Sequence, residues 1–548
     1  MKRIFFLIGL VPCCLLQAQH QPVIPYVSKV WVADNGDGTY KNPVINADYS
    51  DPDAIRVGDD YYLVASSFDA VPGLPILHSK DLVNWSIIGH ALNRQPPYDH
   101  FSQTQHGNGV WAPSIRYHNN EFYIYYPDPD FGIYVVKAKN IIGPWSDPVL
   151  VEAGKGLIDP CPLWDEASAV GKENKLYLVH AYAGSRATIK SIVVVKELNV
   201  DGTKVISDPV LVFDGHEHHP TLEGPKFYKR NGYYYIFAPA GGVSTGYQLV
   251  LRSKQVYGPY EEKIVMDQGS TKVNGPHQGA WVTTPTGEDW FLNFQDKGAY
   301  GRVVHLQPMV WKNNWPVIGL DKNGREKGEP VSSYKKPRVA KSFPIETPQE
   351  SDEFTDTKLG LQWQWQANPN EIWAMLRPEG YLRMNAIKVA DTVKNYWDVP
   401  AVLLQKFPSD EFSAITKVSF LPKFDGDQFG LVVMGMSYAY VSVSKRAEGL
   451  FIGYTTCRDA VKGNEEKEKI IEKLNKSTVY LKVTVTLGAV CKFSYSTDGV
   501  NFKEIPQIFT AVEGRWIGAK VGMFCSGKTL TNDSGFADVD WFRIEPAK

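Results

Sequence analysis

The chain has 548 residues, 43% hydrophobic and 22% charged, so it is long enough for two or three domains with sizeable cores and is not a disordered tail. Lys and Arg number 58 against 60 Asp and Glu, a net charge of −2 that supplies no basic face and speaks against nucleic acid as a partner. Aromatic residues reach 13%, which fits either cross-strand filler in an all-β fold or flat faces for stacking on sugar rings.

The first element is an export signal over 1–19. Lys2 and Arg3 precede an apolar run from Ile4 to Leu16, and Gln17-Ala18-Gln19 offers a small residue for cleavage. The expected location is periplasmic or secreted. No later stretch approaches the ~20 apolar residues of a membrane span, so no membrane association is expected after cleavage. Cys13 and Cys14 follow Val11-Pro12 rather than a run of small residues, which argues against lipidation. Cys161, Cys457, Cys491 and Cys525 would remain; they form no C-x-x-C pair, and one disulfide among the last three is possible in an oxidising compartment.

A repeated phrase then organises the chain from 30 to 334: a short polar or acidic element, a hydrophobic strand, a turn and an aromatic-rich strand. Its copies begin at Asp51-Pro52-Asp53, Trp111-Ala112-Pro113, Ile158-Asp159-Pro160, Glu223-Gly224-Pro225 and His277-Gln278-Gly279. Turns such as Asn231-Gly232 join aromatic and β-branched runs and predict antiparallel hairpins. Between copies lies a second pattern ending in Trp or Gly-Pro-aromatic, as at Asn84-Trp85, Gly143-Pro144-Trp145 and Gly258-Pro259-Tyr260. Two hairpins per copy make a four-stranded blade, and five copies spaced roughly 45–65 residues apart predict a five-bladed β-propeller.

Residues 335–348 form a basic, Pro-punctuated linker, and 349–548 show a second all-β pattern. Val479, Leu481, Val483 and Val485 alternate along one strand face, as a β-sandwich or jelly roll requires. The Lys- and Glu-rich stretch from Lys462 to Lys476 reads as a solvated hairpin loop or short helix.

In a propeller the innermost strands converge on the axis. Asp51, Asp159 and Glu223 stand at what the repeat marks as equivalent strand starts, so three carboxylates are expected at one mouth. Such a cluster shifts its own pKa values and suits acid–base chemistry on an acetal. The cluster His216-Glu217-His218-His219 lacks a ligand pattern at helical spacing, and a loop over the pocket is expected there rather than zinc.

On these motifs, together with Asn42-Pro43, Pro72-Gly73-Leu74-Pro75-Ile76, His78 through Trp85 and Asn274-Gly275-Pro276-His277, the sequence resembles the family 43 glycoside hydrolases, five-bladed propellers often followed by a C-terminal β-sandwich. The resemblance implies Asp51 as general base, Glu223 as general acid and Asp159 as the residue that orients and tunes the acid. It implies inversion at the anomeric carbon, with the base and acid about 6.5–9.5 Å apart. It also implies Phe68 and Trp111 as walls of the −1 sugar site and Arg302 as a hydrogen-bonding partner of the sugar. His277 matches a family histidine near the axis, where a calcium ion is often held through water; a structural core role for it is equally open. The chemistry itself requires no cofactor.

Family members with this layout remove single terminal pentoses. The early region resembles β-xylosidases closely, whereas Gly241-Gly242-Val243-Ser244-Thr245-Gly246 and the export signal fit enzymes that trim arabinosyl groups. The expectation is therefore an exo-α-L-arabinofuranosidase acting on arabinoxylan or xyloglucan fragments, with β-D-xylosidase, or both activities, as the alternative. A non-catalytic sugar-binding propeller would be expected to lack a carboxylate, and all three are present. An endo-enzyme would need an open groove and commonly lacks the second domain.

Overall fold

The computed structural model describes residues 25–166 and 174–547. The export signal read over 1–19 lies outside the described residues. From 53 to 318 the chain forms five antiparallel four-stranded sheets, spanning 53–92, 114–153, 157–214, 226–266 and 277–318, and we refer to them as blades one to five. In each blade the strands follow chain order from the axis outward. The innermost strands are Asp53–Val57, Ser114–His118, Leu157–Asp165, Lys226–Arg230 and His277–Thr283.

Local chemistry sets these hairpins. In blade four Arg230 pairs with Tyr233 across Asn231-Gly232, whose φ values of 49° and 75° give the twist that a two-residue hairpin turn needs. Asn119 and Asn120 do the same in blade two. Ring closure comes from the N-terminal segment: Thr39–Lys41 pairs with Ser333–Lys335, and Ile45 bridges to Val304 of blade five. Buried charges tie the inner strands together. Asp53 of blade one accepts from the Ile115 N–H at 2.9 Å and from Arg116 at 2.6 Å in blade two. Lys226 of blade four, fully buried, reaches Pro113 O at 2.7 Å and Ser114 Oγ at 2.9 Å. Groups of this kind are tolerated inside only when paired, so these contacts fix the blade order around the axis.

The second domain is a sandwich of an eight-stranded and a seven-stranded sheet. Val479, Leu481, Val483 and Val485 are buried along Thr478–Thr486, as their alternation predicts. The stretch expected to be a loop or short helix is instead a strand, Lys467–Leu474, on the edge of the larger sheet. Its charged side chains point to water, which is how edge strands avoid pairing with other chains. The four described cysteines are all buried free thiols, so none of the last three forms a disulfide. The 335–348 segment lies along the propeller: Lys336 bonds Asp34 at 2.5 Å and Asp81 at 2.8 Å, and Arg338 bonds Glu288 at 2.5 Å.

The two domains are docked. Val71 and Trp365 exchange backbone hydrogen bonds at 3.0 and 2.6 Å. The buried Asn368 amide bonds both the N–H of Gln95, at 2.7 Å, and its carbonyl, at 2.9 Å.

Candidate active site

The lead-in to each inner strand explains how carboxylates reach the axis. Asp51 and Asp159 each precede a proline and have φ of 55° and 58°; Asp51 sits two residues before the ladder that starts at Asp53, and Asp159 sits in a bulge two residues before the ladder resumes at Cys161. A left-handed residue there turns its side chain out of the ladder and toward the channel. In blade four that position is Gly224, with φ of 60°. Glu223 is therefore offset by one residue from Asp51 and Asp159, a correction to the simple repeat equivalence. The reason is steric. A Cβ on residue 224 would lie 2.8 Å from the Gln278 side chain, and the Gly224 N–H must approach Asp159 Oδ2 at 2.8 Å.

Asp51 is 6% exposed and well supplied with donors. Its Oδ2 accepts from Ser50 Oγ at 2.7 Å and Ser66 Oγ at 2.6 Å, and Arg302 Nη1 stands 3.1 Å from Oδ1. Arg302 also donates to Ser50 Oγ at 2.9 Å, and its guanidinium lies over the Phe294 ring at 5.0 Å. With its side chain only 11% exposed, Arg302 is no surface ion pair.

Glu223 has the opposite surroundings. Among the described residues no hydrogen-bond donor reaches its carboxyl, and His277 Nε2 stands 3.7 Å from it. Burial and then the adjacent Asp159 charge push its pKa up to about 8, against the pull of Arg302. Asp159 is itself raised to about 6, by burial and by Asp51, while the Gly224 N–H works the other way. At neutral pH Asp159 is therefore largely ionised while Glu223 keeps its proton.

His277 is fully buried, and burial with the Arg302 charge pushes its imidazole down to about 3, so it is neutral. Its Nε2 stands 3.7 Å from Glu223 Oε1, and its full burial fits the structural core role. Both of its ring nitrogens lack a partner among the described residues. Among the described residues no cluster of three or more His, Cys, Asp or Glu could hold a metal. A lone imidazole does not fit calcium, which takes six or more oxygens, and no step is derived through that ion. The His216–His219 cluster is likewise no metal centre: His219 is buried between Tyr247 Oη at 2.8 Å and Glu262 at 3.3 Å.

Trp111 is half-buried, with its indole N–H on Gly107 O at 2.9 Å and the Arg186 guanidinium 5.4 Å from its ring centre. Phe68 is only 3% exposed. It shapes the pocket by exchanging backbone hydrogen bonds with Val110, at 2.9 and 3.0 Å, and so fixes the approach to Trp111. Sequence reasoning missed three contributors. Ser50 was adjacent to Asp51 and could have been noticed as a donor; Ser66 lies in the next strand's exit. Trp516 gave no signal at all, because it belongs to the sandwich. Its ring meets Trp111 edge-on at 6.3 Å, and a cleft of ≈ 320 Å³ lies between Arg302 and Asp296 of the propeller and Met436, Arg515 and Trp516 of the sandwich.

The family described as glycosyl hydrolases family 43 matches residues 40–316, which contain all three carboxylates and Arg302. The chain belongs to this family. A second match, to a β-xylosidase C-terminal concanavalin A-like domain, covers 351–545 of this family 43 protein. It is 39% identical over 506 residues to a Xylanibacter ruminicola protein with a provisional β-xylosidase name, covering 90% of this chain and 88% of the other. It is 29% identical over 532 residues to a non-reducing end α-L-arabinofuranosidase of Bacteroides ovatus, covering 92% and 94%. Among solved structures it is similar to the GH43 protein BlXynB of Bacillus licheniformis, at 27% identity and a TM-score of 0.77 over 93% of this chain and 100% of that one. It is a glycoside hydrolase.

Proposed function

We propose that this glycoside hydrolase is an exo-acting, inverting β-D-xylosidase of hemicellulose-derived oligosaccharides, with Asp51 as general base, Glu223 as general acid and Asp159 as the tuner of the acid. The observation that carries the assignment of roles is the contrast between the two outer carboxyls: Asp51 faces hydroxyl and guanidinium donors, whereas Glu223 faces none and is held protonated up to about pH 8. A carboxylate surrounded by donors can take a proton from water as that water attacks the anomeric carbon. A carboxylic acid kept neutral at pH 7 can pass its proton to the departing oxygen. Arg302 holds Asp51 and offers its remaining donors to the sugar.

The arabinofuranosidase expected from Gly241 to Gly246 becomes the second reading. The relative at 39% identity carries a xylosidase name and the sandwich matches a β-xylosidase domain, whereas the relative named for arabinofuranose stands at 29%. Export to the periplasm or medium completes the reading. Paired assays on nitrophenyl β-D-xyloside and α-L-arabinofuranoside, with the first-formed anomer followed by NMR, test it. Faster arabinofuranoside turnover would reverse the preference, and a retained anomer would remove the direct displacement by water.

A further inference from the structure

Arg302 is held from two sides. Its side chain grips Asp51, while its backbone ends a propeller segment, 297–302, that the sandwich clasps closely. Lys297 bonds Asp410 at 2.6 Å, Tyr300 Oη donates to Asp410 O at 3.1 Å and accepts from the Ala489 N–H at 2.7 Å, and the Ala519 N–H bonds Ala299 O at 2.7 Å. At the end of this segment the backbones nearly touch: a Cβ on Gly518 would lie 2.6 Å from the Gly301 nitrogen. One buried carboxylate joins the parts. Asp48 Oδ1 accepts from the Arg302 N–H at 2.9 Å, and Asp48 Oδ2 accepts from the Gly518 N–H at 2.8 Å. A Cβ on Gly301 would lie 2.5 Å from Asp48 Cγ, so the chain has no slack there. Gly518 continues into the strand Lys520–Gly527 and follows the loop that carries Trp516.

We propose that Asp48 is a positioning residue through which docking of the sandwich sets the place of Arg302, and through Arg302 that of Asp51. The proposal rests on the catalytic reading of Arg302 and Asp51 given above. Asp48 touches neither sugar nor reacting atoms. Its two oxygens match two backbone donors, one from each domain, so only a docked sandwich presents both. A shift of about 1 Å in a positioning group lowers turnover by up to about 100-fold without loss of the fold.

The experiment is a double-mutant cycle in the full chain, with kcat and KM measured per folded molecule. Asp48→Asn keeps one acceptor and turns the other toward a donor, so kcat is expected to fall about 10–100-fold with little change in KM. Arg302→Ala tests the underlying reading, and its full activity would sink that reading by itself. With Arg302→Ala impaired, adding Asp48→Asn is expected to cost under about threefold more, because both act through one group. Full multiplication of the two losses would overturn the coupling, as would wild-type kcat in Asp48→Asn. Gly518→Ala disturbs the same contact from the sandwich side and serves if Asp48→Asn does not fold; it too must lower kcat and be masked by Arg302→Ala. Asn368→Ala, which loosens the domain interface at Gln95, is expected to lower Tm and leave kcat unchanged. An equal kcat loss there would reduce Asp48 to a general structural role.

Discussion

Asp51 and Glu223 share one mouth of the propeller, yet the first is surrounded by Ser50, Ser66 and Arg302, while the second is left beside Asp159 of blade three and a neutral His277 of blade five. Both residues are carboxyls on the lead-ins to inner strands of a repeated frame, in blades one and four. Their difference shows that role follows from neighbours and not from residue type: a group given donors serves as base, and a group denied them keeps its proton.

The largest effect should break this comparison directly. Asp51→Asn and Glu223→Gln are each expected to lower kcat on a xylo-oligosaccharide by about 10²–10⁴-fold with the fold intact. An aryl xyloside with an acidic leaving group should restore much of the Glu223→Gln loss, since it departs without a proton, and none of the Asp51→Asn loss. Equal rescue of both variants would erase the division of roles.

A smaller change should sharpen it. The Asp159 charge raises the pKa of Glu223, so Asp159→Asn removes a negative neighbour and lowers that pKa. The basic limb of the kcat profile, which reports loss of the acid's proton, should then move to lower pH. A basic limb left in place would remove Asp159 from the tuning role whatever the rate did.

The sandwich side carries a weaker effect. Trp516→Ala removes an edge contact to Trp111, and a rise in KM of about 2–10-fold on oligosaccharides is expected, with a smaller change on the aryl glycoside. Equal changes on the two substrates would place Trp516 outside the leaving-group side of the cleft.

Stability should show the least effect, in a set direction. Glu223 holds its proton in the folded state up to about pH 8 but only to its ordinary 4.5 when unfolded. Between those values unfolding releases a proton, so stability falls as pH rises. Glu223→Gln cannot ionise, and its Tm relative to the parent should be higher at pH 8 than at pH 5. A pH-independent difference would contradict the raised pKa.

Much of this was legible in the chain. Hairpin turns such as Asn231-Gly232 and the recurring Asp-Pro step are local, so the blades and two of the carboxylates could be read from repeats. Glu223 was found but placed one residue out of register, because the glycine that takes the left-handed position depends on Gln278 in another blade. Phe68 was expected as a wall of the sugar site; it is only 3% exposed, a property of packing that spacing does not encode. Trp516 and Asp48 act across the domain boundary, and no local pattern announces a contact between residues 470 positions apart, as Asp48 and Gly518 are. The Lys467–Leu474 edge strand was hidden by its charges, which mimic a solvated loop.

The central claim is that Glu223 is the protonated partner, and carboxyl-carbon NMR tests it most directly. With glutamate labelled at its side-chain carboxyl, the Glu223 signal is assigned by its absence in Glu223→Gln and followed with pH. The account predicts a midpoint near 8 that falls in Asp159→Asn. A midpoint near the ordinary 4.5, unmoved by that substitution, would contradict it.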